Sequence, residues 1–159
     1  MAQNDIGIDL GTTSVIVYIE GKGIVLNEPT VVAVDTKTDR VLAVGEEAYR
    51  MIGRTPAHIS AVRPLKDGVI SDYMLTKELI KRFITKVCDS QIVKPRVAVC
   101  VPAVLTGIES DAAVEAVLAA GARQIFLIDE PIAAAIGSGL DIMRPRGNIV
   151  VDIGGGTTD

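Results

Sequence analysis

Residues 148–158 read NIVVDIGGGTT, and residues 5–13 read DIGIDLGTT. Each stretch passes from an apolar run into an aspartate, an apolar residue, glycine and two threonines, and the later one has two extra glycines. Apolar and β-branched runs favour strands, and glycines permit the tight turn that would follow each strand. The sequence therefore predicts two strand–turn segments of one design, and this repetition is the strongest indication of the fold.

The chemistry of both predicted turns suits a phosphate group. Glycines let backbone N–H groups approach phosphate oxygens closely, and threonine or serine hydroxyls supply further hydrogen bonds. Asp9 and Asp152 would repel phosphate directly, so we expect a hydrated Mg²⁺ between these carboxylates and the phosphates. For either stretch alone, an ordinary glycine-rich turn remains an alternative. The pattern is neither a P-loop nor a G-x-G-x-x-G fingerprint.

Glu130 lies between the two motifs in LIDEPIAAAIGSG, residues 127–139, where a predicted strand passes into a predicted helix. A carboxylate at that point could orient or activate a water for attack on a terminal phosphate. It could also be an acidic residue that favours the positive end of the helix dipole. Both roles remain open on spacing alone.

Composition narrows the class of protein. The chain has 159 residues, a net charge of −4 and few aromatic residues, so a core of Val, Ile, Leu and Ala is expected. No Lys/Arg cluster suited to phosphate backbones is present, which argues against a nucleic-acid binder. Cys88 and Cys100 do not form a disulfide framework, and Cys100 is predicted to be a small core residue. Without a visible secretory signal or a membrane-spanning run, we expect a cytoplasmic protein.

The order of predicted elements indicates an α/β fold. The first 44 residues read as an antiparallel meander and short strands. Residues 54–72 read as loop, and residues 75–87 have apolar residues at helical spacing. From residue 94 onward, strand, helix, strand, helix and a last strand at 148–153 alternate. This pattern predicts a mixed sheet with an N-terminal antiparallel meander and flanking helices.

Three stretches resemble motifs of the superfamily that includes actin, sugar kinases and heat-shock chaperone ATPases. DIGIDLGTTS (5–14), IDEPIAAAIGSG (128–139) and VDIGGGTTD (151–159) are similar to its phosphate-1, connect-1 and phosphate-2 motifs. The resemblance implies the first lobe of an actin-like ATPase fold, which is ribonuclease H-like.

Stretches outside these motifs resemble the MreB/Mbl family of bacterial actins: GKGIVLNEPTVVAVD (21–35), VGEEAYRMIGRTP (44–56) and RPLKDGVISDY (63–73). The resemblance covers essentially the whole chain. Two small departures occur, because GTTS replaces the usual Gly-Thr-Ala-Asn, and Asp129 precedes Glu130 where the family usually has Glu. Neither departure removes a group that the mechanism needs.

The resemblance assigns ATP and Mg²⁺ as cofactors and implies a role for each residue of the motifs. Glu130 and Asp152 would be the catalytic carboxylates, and Asp9 and Asp152 would hold Mg²⁺ through water. The residues expected to contact the nucleotide are Asp9, Gly11, Thr12, Thr13, Ser14, Gly154, Gly155, Gly156, Thr157 and Thr158.

The resemblance also implies a domain organisation. Residues 1–32 and 73–146 would form subdomain IA, residues 33–72 subdomain IB, and residues 147–159 the start of subdomain IIA. Family members are longer, so the chain would correspond to their first half. We therefore expect little ATPase activity from this chain alone.

The function implied by the resemblance is that of a cytoskeletal ATPase. Such a protein would assemble with copies of itself into filaments, govern rod cell shape and work with the cell-wall elongation machinery. It would be cytoplasmic and peripheral on the inner face of the membrane. Ile92 and Val93, flanked by basic residues, would form a membrane-attaching loop, although they could instead begin the next strand. Two other functions are a small-molecule kinase of the superfamily and a non-enzymatic module that caps or joins filaments. ATP-dependent pelleting would separate the filament-forming ATPase from the kinase, and pelleting only with a full-length partner would indicate the non-enzymatic module.

Overall fold

The computed structural model describes residues 5–88, 94–103 and 106–159. Its central sheet has five strands in the order β10-β9-β1-β2-β3. These strands are β1 (Asp5–Leu10), β2 (Ser14–Ile19), β3 (Gly23–Pro29), β9 (Arg96–Val101) and β10 (Gln124–Asp129). Strands β1 to β3 are antiparallel, whereas β9 and β10 run parallel to β1. The predicted α/β class, with a mixed sheet and an N-terminal meander, is confirmed.

The period of two in β1 and β2 determines which face of the sheet is buried. Ile6, Ile8 and Leu10 alternate with less buried neighbours, and β2 shows the same pattern. The meander turns where Gly21 and Gly23 adopt positive φ, a conformation that glycine reaches without strain. Because buried and less buried residues alternate along β1 and β2, Asp9 and Ser14 lie on the face of the sheet that points away from the core. Both stand at the end of the sheet where β1 passes into β2.

Two helices cover the buried face of the sheet. The helix α2 (Tyr73–Val87) buries Leu79, Ile80 and Phe83, and α3 (Gly107–Ala119) buries Ala116 and Val117. A capping box begins α3: the Glu109 N–H donates to the Thr106 hydroxyl, and the Thr106 N–H donates to the Glu109 carboxylate. A third helix, α4 (Glu130–Gly137), begins directly where β10 ends.

A second, three-stranded sheet has the order β5-β4-β6, with β4 (Val32–Asp35), β5 (Arg40–Val44) and β6 (Ile59–Val62). The short helix α1 (Glu46–Tyr49) packs on it. The Arg82 guanidinium on α2 donates to the carbonyls of Val41 and Leu42, which attaches this sheet to the main body. The sheet overlaps the segment 33–72 assigned to IB, although the subdomain boundaries themselves stay predictions.

Two local predictions were wrong. The segment 54–72, expected to be loop, contains β6 and a hairpin of β7 (Leu65–Lys66) and β8 (Val69–Ile70). Conversely, the strand expected at 148–153 is not formed. Only Ile153 makes a bridge, to Thr158, and Ile149 is 90% exposed. A β-branched run becomes a strand only where another strand pairs with it, and residues 148–152 are paired with none of the strands described.

Candidate functional site

The first turn, Gly11–Thr13, connects β1 to β2 and is held by Thr30. This threonine is fully buried; its hydroxyl donates to the Gly11 carbonyl over 2.7 Å, and its N–H donates to the Thr13 carbonyl over 3.0 Å. A Cβ atom at Gly11 would lie 2.8 Å from the Ser14 carbonyl oxygen. Both features keep the turn tight, so its remaining polar groups can face the end of the sheet.

The segment after the second sheet also contacts this turn. The Arg63 guanidinium donates to the Thr13 carbonyl over 3.1 Å, and the Gly68 N–H donates to the Thr12 hydroxyl over 2.8 Å. Arg63, Gly68 and Thr30 were not predicted from the sequence as residues of the site. The Lys-Asp-Gly turn signal at 66–68 could have indicated a tight turn, but nothing in the pattern indicates what that turn contacts.

The second turn belongs to a small hairpin. Asp152 and Asp159 exchange two backbone hydrogen bonds of 2.7 and 2.9 Å, and the Gly154 N–H donates to the Thr157 carbonyl over 2.9 Å. Residues 154–157 therefore form the tip of the hairpin, and Asp152 stands opposite Asp159 on its two arms.

The two turns interlock. A Cβ atom at Gly155 would lie 1.8 Å from the Thr13 hydroxyl oxygen and 2.8 Å from its Cβ. A Cβ atom at Gly156 would lie 2.8 Å from the Thr12 hydroxyl oxygen. Only glycine fits at these two positions, because each threonine occupies the space that a side chain would need. The two turns are thus in direct contact.

One cleft of about 100 Å³ brings together most of the site residues predicted from the sequence. Its lining comprises Asp9, Gly11, Thr12, Thr13, Ser14, Glu130, Asp152, Gly154, Gly155, Gly156 and Thr157. Thr158 is outside that lining and pairs with Ile153 in the hairpin. Wider grooves of about 620 and 480 Å³ lie elsewhere on the surface, but they lack the two glycine-rich turns. The roles of the lining residues stay predictions.

Carboxylates dominate the electrostatics of the cleft. Burial, together with the charges of Asp9, Asp159 and Asp152, raises the pKa of Glu130 to about 7. Burial, and then the charge of Asp152, raises the pKa of Asp9. An acid whose pKa lies near neutrality is poised to exchange a proton at physiological pH. Asp159, which sequence analysis did not single out as a site residue, therefore belongs to this carboxylate group.

Cys100 lies on β9, one strand from Asp9. Its side chain is only partly buried. The prediction that Cys100 is a small residue of the core was therefore wrong. Burial and the neighbouring carboxylates raise its pKa to about 11. A thiol with so high a pKa carries little thiolate and is a poor nucleophile.

The donor set of the cleft fits a hydrated Mg²⁺. Within the described ranges, no three His, Cys, Asp or Glu side chains stand close enough to hold a metal ion directly. Mg²⁺ keeps several waters and is usually bound by one or two carboxylates together with substrate phosphates. Asp9 and Asp152, whose mutual repulsion a cation would relieve, are suited to such a site.

Comparison with known proteins identifies the family. The model of the MreB/Mbl protein family matches residues 3–159. The chain belongs to the MreB/Mbl family. It is 54% identical over 160 residues to the cell shape-determining protein Mbl of Bacillus cereus, covering 100% of this chain and 48% of that protein. It is 50% identical over 167 residues to the cell shape-determining protein MreB of Escherichia coli, with the same coverage.

Solved structures of this family share the fold. MreB5 of Spiroplasma citri bound to ADP superposes with a TM-score of 0.88 at 36% identity, over 99% of this chain and 47% of that one. The same protein bound to AMPPNP gives 0.88 at 35% identity. The actin-like fold class is therefore confirmed, and the chain spans about half the length of the MreB/Mbl relatives that it matches.

Two further expectations concern membranes. Ile92 and Val93, the candidate membrane loop, lie outside the described residues. Among the helices that the structure describes, none is long and apolar enough to cross a membrane.

Proposed function

We propose that this chain is the nucleotide-binding part of a cell-shape ATPase of the MreB/Mbl type, which binds ATP with Mg²⁺ in the cleft between the two turns. One observation carries the proposal: the two turns interlock around a cleft that also contains Asp9, Glu130 and Asp152. Support comes from the Spiroplasma citri relative, which is bound to ADP in one structure and to AMPPNP in another.

The turns supply the phosphate-binding groups in this proposal. Backbone N–H groups at the tip of the second turn and around Gly11 would donate to phosphate oxygens, and the hydroxyls of Thr13 and Ser14 would add further donors. Asp9 and Asp152 would hold Mg²⁺ through its water ligands. When bound there, Mg²⁺ would neutralise charge on the phosphates.

Glu130 would act on the attacking water. It stands at the first position of α4, directly after β10, which fixes its backbone at the end of the sheet. A carboxylate with a pKa of about 7 can accept a hydrogen bond or a proton from water at physiological pH. The neighbouring Cys100 takes no part, because its thiol stays protonated.

Titration calorimetry with MgATP tests this function. We expect little heat of binding from the chain alone. We expect micromolar binding once the chain is mixed with a separately made fragment of Bacillus cereus Mbl, namely the half of that protein that this chain does not match. The reason is that the chain spans about half of that relative, and two lobes are expected to grip the nucleotide together.

Controls sharpen the result. EDTA should weaken the binding, and GTP in place of ATP should report base selectivity. Binding by the chain alone would show that its own turns suffice. If neither the chain nor the mixture takes up MgATP, the proposed function is wrong.

The wider role is proposed by relationship. The Bacillus cereus and Escherichia coli relatives are named cell shape-determining proteins, so we propose that the complete protein forms filaments in the cytoplasm, at the inner face of the membrane, and directs the cell-wall elongation machinery. In the filament, many weak membrane contacts would add up to stable attachment.

Ile92 and Val93 are the proposed membrane contact. Replacing both with Ser should reduce co-sedimentation of the protein with anionic liposomes severalfold, because the apolar part of the interfacial attachment is lost. Ile24→Ser, at a residue of β3 that is 67% exposed, is the matched control and should leave liposome binding unchanged. Equal sedimentation of the double variant and the wild type would exclude this loop as the attachment site.

A further inference from the structure

The carbonyl oxygens of the first turn are all bound by two residues, Thr30 and Arg63. The Thr30 hydroxyl donates to the Gly11 carbonyl over 2.7 Å, and the Thr30 N–H donates to the Thr13 carbonyl over 3.0 Å. Arg63 Nη1 donates to the Thr13 carbonyl over 3.1 Å and, less closely, to the Thr12 carbonyl over 3.5 Å. These hydrogen bonds hold the three carbonyl oxygens of the turn toward Thr30 and Arg63.

The same hydrogen bonds fix the direction of the amide groups in the turn. In a planar trans peptide, the carbonyl oxygen of one residue and the N–H of the next point in opposite directions. The N–H groups of Thr12 and Thr13 therefore point away from Arg63. Both residues line the cleft, and in the part of the chain that the structure describes neither N–H donates a hydrogen bond to another residue. Two donors are thus available to a ligand in the cleft.

Arg63 stands on a rigid support. The strand β6 ends at Val62, directly before Arg63, and pairs along its length with β4. On the other side, the Pro64 carbonyl accepts the Ser71 N–H and the Ser71 hydroxyl, each over 2.9 Å, and the Asp72 N–H over 3.1 Å. Because both neighbours of Arg63 are held, its side chain loses less conformational freedom when it binds the turn.

Arg63 brings a charge to this arrangement, whereas Thr30 is neutral. Within residues 5–88, 94–103 and 106–159, no carboxylate forms an ion pair with Arg63. A guanidinium stays protonated at physiological pH. A hydrogen bond from a charged donor is about twice as strong as one from a neutral donor, and linked hydrogen bonds polarise one another. Arg63 consequently makes the N–H groups on the far side of the turn stronger donors.

We propose that Arg63 is a positioning residue for phosphate binding, which holds the first turn so that the N–H groups of Thr12 and Thr13 point into the cleft. This inference rests on the proposed function, because it needs a phosphate in that cleft. Arg63 acts through the turn, since it is not among the residues that line the cleft. Successive backbone N–H groups form an anion-binding concavity, and donors that are fixed before the ligand arrives save the cost of ordering them.

Three variants separate the role of Arg63 from a general effect on folding. Arg63→Met keeps most of the apolar stem and removes the charge and the donors. Arg63→Lys keeps the charge but supplies an ammonium group in place of the planar guanidinium. Arg40→Met is the matched control, because Arg40 is an exposed arginine at the start of β5 and lies outside the cleft lining. Each chain is mixed with the Bacillus cereus Mbl fragment if the wild type requires it for MgATP binding.

Calorimetry and a phosphate-release assay measure affinity and turnover. Arg63→Met should bind MgATP about tenfold more weakly, because two N–H donors to phosphate lose their fixed direction. KM should rise by a similar factor while kcat changes by less than about twofold, since these donors bind the ground state and the transition state alike. Arg63→Lys should lose about threefold in affinity, because lysine lacks the rigid fork of arginine, and Arg40→Met should match the wild type.

Hydrogen exchange at the Thr12 and Thr13 amides, measured by NMR, tests the positioning role directly. Saturating MgATP should slow exchange at both amides by about tenfold or more in the wild type, because each N–H becomes hydrogen-bonded to phosphate. In Arg63→Met, the slowing should be at most about twofold even when MgATP saturates the variant. A residue that only stabilised the fold would leave this local response intact.

The outcomes separate this inference from the proposed function. If Arg63→Met binds MgATP as tightly as the wild type, or if its Thr12 and Thr13 amides are protected as in the wild type, the inference is wrong and the function stands. If the wild type binds no MgATP even with the Mbl fragment, both fail. Thermal melts check folding, and should Arg63→Met not fold, wild-type affinity of Arg63→Lys would itself overturn the inference.

Discussion

Gly155→Ala is expected to weaken MgATP binding by about a hundredfold. The new Cβ atom would lie 1.8 Å from the Thr13 hydroxyl oxygen and 2.8 Å from Thr13 Cβ. Rotation of the hydroxyl could relieve the first contact but not the second, because Cβ is fixed to the backbone of the first turn. The two turns must therefore separate, and a displacement of that kind in a packed site costs up to about 3 kcal/mol.

Gly147→Ala is the matched control, since an added Cβ atom there meets no other atom within 4 Å. It should bind MgATP like the wild type. Calorimetry on both variants, mixed with the second half, provides the comparison. Equal affinity of Gly155→Ala and the wild type would mean that the two turns do not grip one ligand in the arrangement described.

Glu130→Gln should lower ATP turnover by about 10²- to 10⁴-fold, the usual loss when a general base is removed, while MgATP binding is kept. Glutamine retains the shape of the side chain but cannot take a proton. A coupled phosphate-release assay on the two mixed halves measures turnover, and calorimetry measures affinity. Glu115→Gln, on α3 and outside the cleft lining, should leave both unchanged.

The pH dependence follows from the raised pKa of Glu130. Turnover should rise as pH passes through about 7, where Glu130 loses its proton, and Glu130→Gln should lack this step. A wild-type pH profile that is flat between 6 and 8 would argue against Glu130 as the base.

The free energy of unfolding should fall over the pH range in which turnover rises. Between pH 4.5 and about 7, Glu130 holds its proton in the folded chain but has lost it in the unfolded chain. The stability that this difference contributes is fully present below the ordinary pKa of 4.5 and is lost as pH rises through about 7. Part of this effect is screened by solvent, so we expect a decrease of about 1–2 kcal/mol in the free energy of unfolding. Urea unfolding of Glu130→Gln should show a smaller decrease, and Asp9, whose pKa is also raised, should account for part of what remains.

Local signals were the ones that sequence analysis interpreted correctly. The helical spacing of the apolar residues at 75–87 and the short apolar runs of the N-terminal meander each act within a few residues. The repeated aspartate–glycine–threonine pattern also predicted which residues share the cleft, because the ends of β1 and of the later segment carry the same chemistry.

Features that depend on distant partners were missed. The strand β6 forms because β4 pairs with it, and residues 148–152 remain outside any strand for want of such a partner. Thr30, Arg63 and Gly68 support the first turn from positions that the fold alone brings near it. No local pattern could show that Thr12 and Thr13 fill the spaces beside Gly156 and Gly155.

The central position of β1 in the five-stranded sheet has a consequence for how the chain folds during its synthesis. β1 can pair with β2 as soon as the first residues leave the ribosome, but its other neighbour is β9, and the Asp5–Arg96 ion pair closes a separation of 91 residues. At ordinary rates of translation, the edge of β1 that later pairs with β9 stays unpaired for roughly 5–20 s. Parallel pairing over so long a loop is slow, so the nascent chain is most prone to aggregation before β9 arrives, and the Asp9 turn is made long before Glu130 can join it.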